Sequence, residues 1–484
     1  MPTNSYDLVV LGEDLAALVC AALCARRGMR TLVIGSDRPA RYTLGPHKLP
    51  VEPLVWPPGA ATERVMKELH AELSLRRKLR EPRIAAQIVA PDFRIDLGND
   101  RIANELAREF GAEADALVTH WQRAREIARL YDPLLGSEHA FPGVGFFERR
   151  ETAKLADAAA AAANTWWQEA ERDGIWRHLA AIALRHPDAQ PIAIARALDA
   201  WHGGPPALRG DSETIRELLV EKLTTAGGEI RAGKLADATV SWGKLTTIRM
   251  HNGDDIGAGQ VVSSLPPQRL AELLGKKAPK KLLEVLDATQ LVGYRYTFNI
   301  VLDEAGVPEH MAPTVAVIAD RDAAPAGDAA FSIHLGETDD AGRVVATVAT
   351  VLETDVREAD ALEPECMALR ARLWKRLGEV MPFFEKHLVL AHSPFEAKAP
   401  HVPGGRGSYD VPRALPLAMS PVWRATDDIG YVIGLKNVTL TGDYLLPALG
   451  IEGALAAGWS AAKVACALAG KKKDYLRDEV VGAA

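Results

Sequence analysis

The 484-residue chain is short of several things, and each shortage removes a class of function. Four cysteines are present (Cys20, Cys24, Cys366 and Cys466), and no pair has CxxC or finger-like spacing. A disulfide framework is therefore excluded, and a reducing, cytoplasmic compartment fits best. The thirteen histidines show no HExxH or comparable spacing, so no metal site is expected. No GxSxG element supports hydrolase chemistry. Positive charge is not in excess. Against 57 Lys and Arg stand 64 Asp and Glu, a net charge of −7, which argues against nucleic acid as a partner. Long apolar runs are missing too. The first, Leu15 to Ala25, stops at Arg26 and Arg27 before it can span a bilayer, and the opening MPTNSYD has no signal-peptide character. A soluble protein is expected.

What is present is enough chain for two or three domains, at 48% apolar and 25% charged residues. Asp7 to Gly12 is a nearly all-apolar run suited to a buried parallel strand, and the Ala- and Leu-rich Leu15 to Arg27 favours helix. Gly28 closes that helix, and Thr31 to Ile34 completes a βαβ unit, half of a doubly wound nucleotide-binding fold. Helical character dominates from Asn104 to His202, with an alanine run at Ala158 to Ala163 and Trp166, Trp167 and Trp176. From Gly227-Gly228 the pattern turns to short strands, GGEIRAG, ATVSWGKLTTIRM and GQVVSSLPP, read as a meander returning to the first sheet. Four β-rich runs (Tyr294 to Leu302, Thr314 to Ala319, Phe331 to Gly336, Val344 to Leu352) predict a largely antiparallel second sheet. A helix follows around Met367 to Val380.

The turn after the first strand reads Gly12-Glu13-Asp14-Leu15-Ala16-Ala17, where a dinucleotide fold carries GxGxxG or GxGxxA. Gly12 and Ala17 match the outer positions, but the middle glycine is Asp14. That position is normally bare because backbone must approach a diphosphate held by helix N-terminal amides. A carboxylate about 4 Å from a phosphate charge costs on the order of 4 kcal/mol at an effective dielectric near 20, roughly three decades of affinity. Asp14 also has a structural reading, as an N-cap whose oxygen accepts from amides two or three residues on and fills the anion site itself. The two readings predict opposite cofactor behaviour. A second departure lies at the end of the second strand, where a carboxylate usually binds a ribose hydroxyl. Gly35 stands there. Asp37 would substitute only with a rearranged loop, and a surface turn before Pro39 is its plainer reading.

Near the C-terminus, Thr439-Leu440-Thr441-Gly442-Asp443, Pro447, Gly450-Ile451-Glu452-Gly453 and a small-residue helix resemble the closing FAD motif of phytoene desaturase-like and amine oxidase-like flavoproteins. Leu54-Val55-Trp56-Pro57-Pro58-Gly59, the strand-like Ala85 to Leu97, Gly227-Gly228-Glu229-Ile230, Val261-Val262-Ser263-Ser264 and Gly404-Gly405-Arg406-Gly407-Ser408-Tyr409 follow in that family's order. The resemblance implies an α/β fold: a discontinuous Rossmann-like FAD/NAD(P)-binding domain (1–80, 203–290, 425–475) and a substrate domain of antiparallel sheet plus helical insertion (81–202, 291–424). It also implies that Asp443 bonds the ribityl or diphosphate region, that amides after Gly450 face the flavin's pyrimidine edge, and that Leu235 lies near adenine. A strand-to-loop turn with an Asp cap is the structural alternative for Gly442-Asp443. The family's acidic residue and Gly-Gly-Arg run are replaced by Gly35-Ser36-Asp37-Arg38-Pro39-Ala40-Arg41, in which Arg38 or Arg41 would meet phosphate.

The resemblance thus implies an FAD-dependent oxidoreductase of the desaturase or dehydrogenase type acting on an apolar, isoprenoid or lipid substrate, with flavin weakened or lost through Asp14 and Gly35. The alternative is a flavin-free member of the fold, as Rab GDP-dissociation inhibitors are, binding an isoprenoid, a lipid or a protein. Tyr296, Phe298, Ile300, Trp166 and Trp167 are candidate channel residues or ordinary core, and no catalytic side chain is assigned. His401 has an acid–base reading and a surface-loop one. Basic groups at Arg76-Arg77-Lys78, Lys276-Lys277, Lys280-Lys281 and Lys471-Lys472-Lys473 are solvated helix ends unless they meet on one face, where peripheral contact with an anionic membrane would follow.

Overall fold

The structure is a computed structural model, and it describes residues 4–35, 39–98, 101–170, 174–210, 212–357, 359–403, 409–412, 416–425, 429–446 and 449–470. The chain opens with β1 (Asn4–Leu11), α1 (Leu15–Arg26) and β2 (Thr31–Gly35), the βαβ unit expected from the apolar runs. The strand-like stretch near residue 90 is a hairpin rather than one strand: β3 (Ala86–Val89) and β4 (Arg94–Leu97) pair antiparallel about Asp92. Helices then occupy most of 102–202, the alanine run lying inside Phe146–Ala170. Next come α2 (Glu213–Thr225) and the strands β5 (Glu229–Ala232), β6 (Leu235–Ser241), β7 (Lys244–Met250) and β8 (Asp255–Ser263).

The second sheet is built from β9 (Thr289–Asp303), β10 (Thr314–Ile318), β11 (Ala330–Leu335), β12 (Arg343–Glu353), β13 (Leu388–His392) and β14 (Ser420–Ala425). The helix before β13 begins at Ala359, earlier than expected, and carries Pro364 inside it. The chain closes with β15 (Val438–Leu440) and α3 (Gly450–Leu468).

The first sheet has the order β6-β7-β8-β1-β2-β5, with β15 also paired to β8. Strands β5, β2, β1, β8 and β15 are mutually parallel; the expected meander is confined to β6, β7 and β8, and the GGEIRAG run departs from it, lying as β5 parallel to β2 at the opposite edge. The second sheet has the order β13-β9-β12-β11-β10-β3-β4, with β14 also on β9. It is antiparallel except where β10 meets β3. Each sheet carries its own apolar core, the larger around β1, α1, α3 and the helical layer, the smaller around β9 to β12. Among the described residues no helix is long and apolar enough to cross a membrane.

Helix α1 is buried from Ala16 to Ala25 and packs against α3. Small residues make that approach: a Cβ at Gly458 would lie 2.4 Å from the Ala16 carbonyl oxygen and 3.0 Å from its Cα. Backbone cannot yield as a flexible side chain would, so Gly458→Ala should destabilise the fold by about 1–3 kcal/mol in urea unfolding. Gly378, in the helix before β13 and with nothing near its Cβ position, is the control; Gly378→Ala should be neutral or slightly stabilising. Equal responses at the two sites would show that the α1–α3 contact is loose.

Candidate functional site

Parallel register brings the chemistry-bearing turns to one edge. Ile34 pairs with Leu11, Leu11 with Ser263, and Ser263 with Leu440, so four strands end level. Backbone bonds from Gly12 N–H to Ile34 O (3.0 Å), Ser264 N–H to Leu11 O (2.9 Å) and Thr441 N–H to Ser263 O (2.8 Å) extend that row. The segments Gly12 to Asp14, Gly35, Ser264 and Thr441 to Asp443 therefore emerge together at the carboxyl edge, where α/β sheets bind ligands.

Asp14 is the N-cap of α1, and the Ala17 N–H donates to its Oδ1 at 2.8 Å. Asp14 is solvent-exposed on its crevice side, with protein packed behind its carboxyl. That desolvation, with the nearby Asp443 charge, lifts it to about 7, against the pull of the Ala17 amide. Gly12, at φ +107°, is a position where glycine is required: a Cβ there would lie 2.1 Å from Ser264 Oγ.

Asp443 does not face Asp14 alone. Arg295, reaching over from β9 of the second sheet, places Nη2 2.9 Å from Asp443 Oδ2, and Nη1 4.0 Å from Glu52. Arg185 pairs with the same Glu52 at 3.2 Å. The crevice thus holds the carboxyl groups of Asp14, Glu52 and Asp443 against two guanidiniums. Arg295 Nε and Thr441 Oγ1 are buried polar atoms with no hydrogen-bond partner among the described residues.

The α3 end differs. Gly450 takes φ +56°, and among the described residues no side chain caps the helix. Glu452, in the first turn where a carboxylate often folds back on the amides, is instead held by Arg196 through two bonds, Nε to Oε2 (2.7 Å) and Nη2 to Oε1 (2.6 Å). Arg196 also binds Asp132 and the Ala128 carbonyl, and these partners hold its charge despite burial. Gly59, ending the Leu54 to Gly59 segment, makes room: a Cβ there would meet Glu452 Oε1 at 2.4 Å.

Leu15, Ala16 and Ala17 form the first turn of α1, Gly35 ends β2, and Leu235 begins β6 two residues beyond Gly233, whose N–H bonds Gly35 O. Ile451 is half-buried in the first turn of α3. Arg41 lies on a small hairpin, 3.7 Å from Glu217 of α2. Ser36, Asp37, Arg38, Pro447 and Gly404 to Ser408 lie outside the described residues. Tyr296, Phe298 and Ile300 are fully buried core of the second sheet, Tyr296 donating to Glu396 at 2.9 Å, and Trp166 is likewise buried. His401 is exposed, stacked edge-on to Trp374. Cys20 and Cys24 are buried free thiols on α1. Arg295, Glu52, Arg185, Arg196 and Glu13, whose carboxylate overlies Gly35, were not marked by any sequence motif.

A cavity of about 240 Å³ adjoins this cluster. Its wall is mixed: Pro53, Leu54, Val55 and Val345 are apolar members, while Lys48, Glu337, His334, Ser212, Thr314 and Thr347 are polar ones. Burial pushes His334 down to about 3, so its imidazole is neutral at physiological pH. Arg185 Nη1 bonds the Pro53 carbonyl at 3.5 Å and Glu52 at 3.2 Å, tying the cavity wall to the ionic cluster.

The model of the family described as flavin containing amine oxidoreductase matches residues 77–466. Among solved structures, an oxidoreductase from Methanosarcina mazei is 14% identical over 94% of this chain and 99% of its own, with a TM-score of 0.58. Putrescine oxidase bound to putrescine is 14% identical over 96% of this chain and 100% of its own, at 0.58. RAB GDI from Plasmodium falciparum is 10% identical over 94% and 97%, at 0.54. At these identities the likeness is one of fold. No curated protein matches.

Asp14 makes stability depend on pH. Its native value of about 7 exceeds the ordinary 3.8, so the folded state holds a proton that the unfolded chain releases. The stability from that proton is complete below pH 4 and lost as pH rises through 7. Asp14→Asn keeps a cap without the titration. The melting temperature of wild type minus that of the variant should fall between pH 5 and pH 8; a constant difference would mean an ordinary ionised cap.

Proposed function

The chain belongs to the flavin-containing amine oxidoreductase family, and from that premise we propose that it is an FAD-dependent oxidoreductase of the desaturase or dehydrogenase type, acting on an apolar substrate. The observation that carries this reading is the convergence of Asp443, in the loop after β15, on Asp14 in the turn after β1.

The donor set suits FAD. Among the described residues Arg295 Nε and Thr441 Oγ1 have no hydrogen-bond partner, which leaves them available to a polar ligand along this edge. Because Arg196 draws Glu452 aside, the positive end of the α3 dipole is left for negative charge. Asp14 is the member that must adapt, and its elevated pKa supplies the means: carrying a proton, it no longer repels a phosphate and has a hydrogen to donate.

FAD, when bound, supplies an acceptor for a hydride from the substrate. The chain's own contribution is position and exclusion of water. Pro53, Leu54 and Val55 present apolar surface beside the ionic cluster; His334, kept neutral by burial, adds polarity without charge, and the charged members of the wall are Lys48 and Glu337. Such a wall supports an apolar substrate, of modest size if it is confined to the 240 Å³ cavity. The flavin-free reading draws support from the Ala17–Asp14 cap and the Arg295–Asp443 pair, which satisfy groups a cofactor would otherwise engage.

The purified protein should show flavin absorbance and release FAD on denaturation, and a colourless protein that takes up no added FAD would overturn the proposal. FAD affinity should weaken roughly tenfold per pH unit above the Asp14 value of about 7. In Asp14→Asn that slope should vanish. Anaerobic mixing with a saturated apolar substrate should bleach the flavin; bleaching by amines alone would redirect the substrate assignment.

A further inference from the structure

Gly35 and Glu13 are a matched pair. A Cβ built on Gly35 would lie 2.5 Å from Glu13 Oε2, 2.8 Å from its Cδ and 3.2 Å from Oε1. The Glu13 carboxylate thus fills the space that a side chain leaving the end of β2 would enter. Nothing in the backbone demands glycine at this position, because Gly35 does not have a positive φ, so the side chain is omitted for room rather than for conformation. The carboxylate is also held in place. Arg216 of α2 bonds Glu13 Oε2 at 2.9 Å and is itself steadied by Glu213 at 3.1 Å. Among the described residues Arg216 is the one partner of Glu13, and the side chain is 12% exposed, so it is anchored without being sealed.

In dinucleotide folds the carboxylate at the end of the second strand accepts from the ribose hydroxyls. We propose that in this chain Glu13, delivered from the turn after β1 and steered by Arg216, replaces that carboxylate and binds the vicinal diol of the ligand's adenosine ribose. Two neighbouring hydroxyl donors match a carboxylate whose oxygens offer about four acceptor sites, of which Arg216 takes one. The placement is consistent with the rest of the edge: Gly233 N–H bonds Gly35 O, and Leu235 starts the next strand where an adenine ring would continue from the ribose. The inference rests on the FAD reading above, and the experiment separates the two.

The probes are FAD and FMN, which share the flavin and differ in the adenosine, titrated into apoprotein by flavin fluorescence. Wild type that binds neither sinks the FAD reading before any variant is considered. Given wild-type binding, Glu13→Gln should weaken FAD roughly 10- to 100-fold while changing FMN little, at an unchanged melting temperature. The decisive variant is the exchange Glu13→Gly with Gly35→Glu, which returns the carboxylate to the strand end and should recover most of the lost FAD affinity. Gly35→Glu alone, with Glu13 retained, should bind FAD poorly because the two side chains compete for one space. Unchanged FAD affinity in Glu13→Gln, or an equal loss for FAD and FMN that the exchange does not repair, would make the Glu13–Arg216 pair a structural tie between α2 and the β1–α1 turn and overturn the proposal.

Discussion

Parallel pairing is the constraint on which the site depends. Because Ile34, Leu11, Ser263 and Leu440 stand in register across β2, β1, β8 and β15, the four loops that follow leave from one edge. Two of them follow the first strands of the chain, and the other two come from beyond Ser263 and Leu440. The last strand enters this row only if α3 can lie close to α1, and the bare Gly458 against the Ala16 backbone provides that closeness. A bulkier contact would move the start of α3 away from the turn at Asp14, and the crevice would open. Packing of two small-residue helices and placement of charge in the crevice are therefore one problem.

Converging the loops also converges their charge. Asp14, Glu52 and Asp443 would repel one another across the crevice, and the fold offsets this from its second sheet, through Arg295 on β9, and from the helical layer, through Arg185. Asp14 receives no guanidinium of its own at bonding distance among the described residues, and its desolvation is relieved by a proton instead. The second sheet thus shapes a cavity and also contributes a cation to an edge built by the first. Separating the sheets would expose apolar surface and unbalance the crevice at once.

Much of this was legible in the residues. An apolar run, an alanine-rich helix, a glycine stop and a second apolar run leave little freedom but a βαβ unit, and the Asp before α1 announced its cap by its place three residues ahead of Ala17. The closing Thr441-Gly442-Asp443 stretch carried the family. That family's match begins at residue 77, beyond the turn in which Asp14 and Gly35 depart from the dinucleotide pattern. What stayed hidden shares one cause: long sequence separation with no local signature. Arg295 is an ordinary residue in a β-rich run until register sets it beside Asp443, and Arg196 meets Glu452 across 256 positions. Glu13 occupied a position that the motif leaves unspecified. Its meaning comes from Gly35, and only geometry links the two.

The two helices that point into the crevice are treated oppositely. Helix α1 carries its own anion, since Asp14 caps it, whereas α3 has its first-turn carboxylate drawn aside by Arg196 and its amides uncapped. A helix N-terminus stabilises negative charge wherever that charge comes from. Supplying it internally at α1 lowers the gain from an external anion there, and withholding it at α3 preserves the gain. For a ligand bearing charge at both ends, recognition then shifts toward the α3 end. Under the proposed function that is the end where negative charge develops as hydride arrives, so electrostatic stabilisation is retained where the chemistry needs it and relaxed where binding alone is at stake.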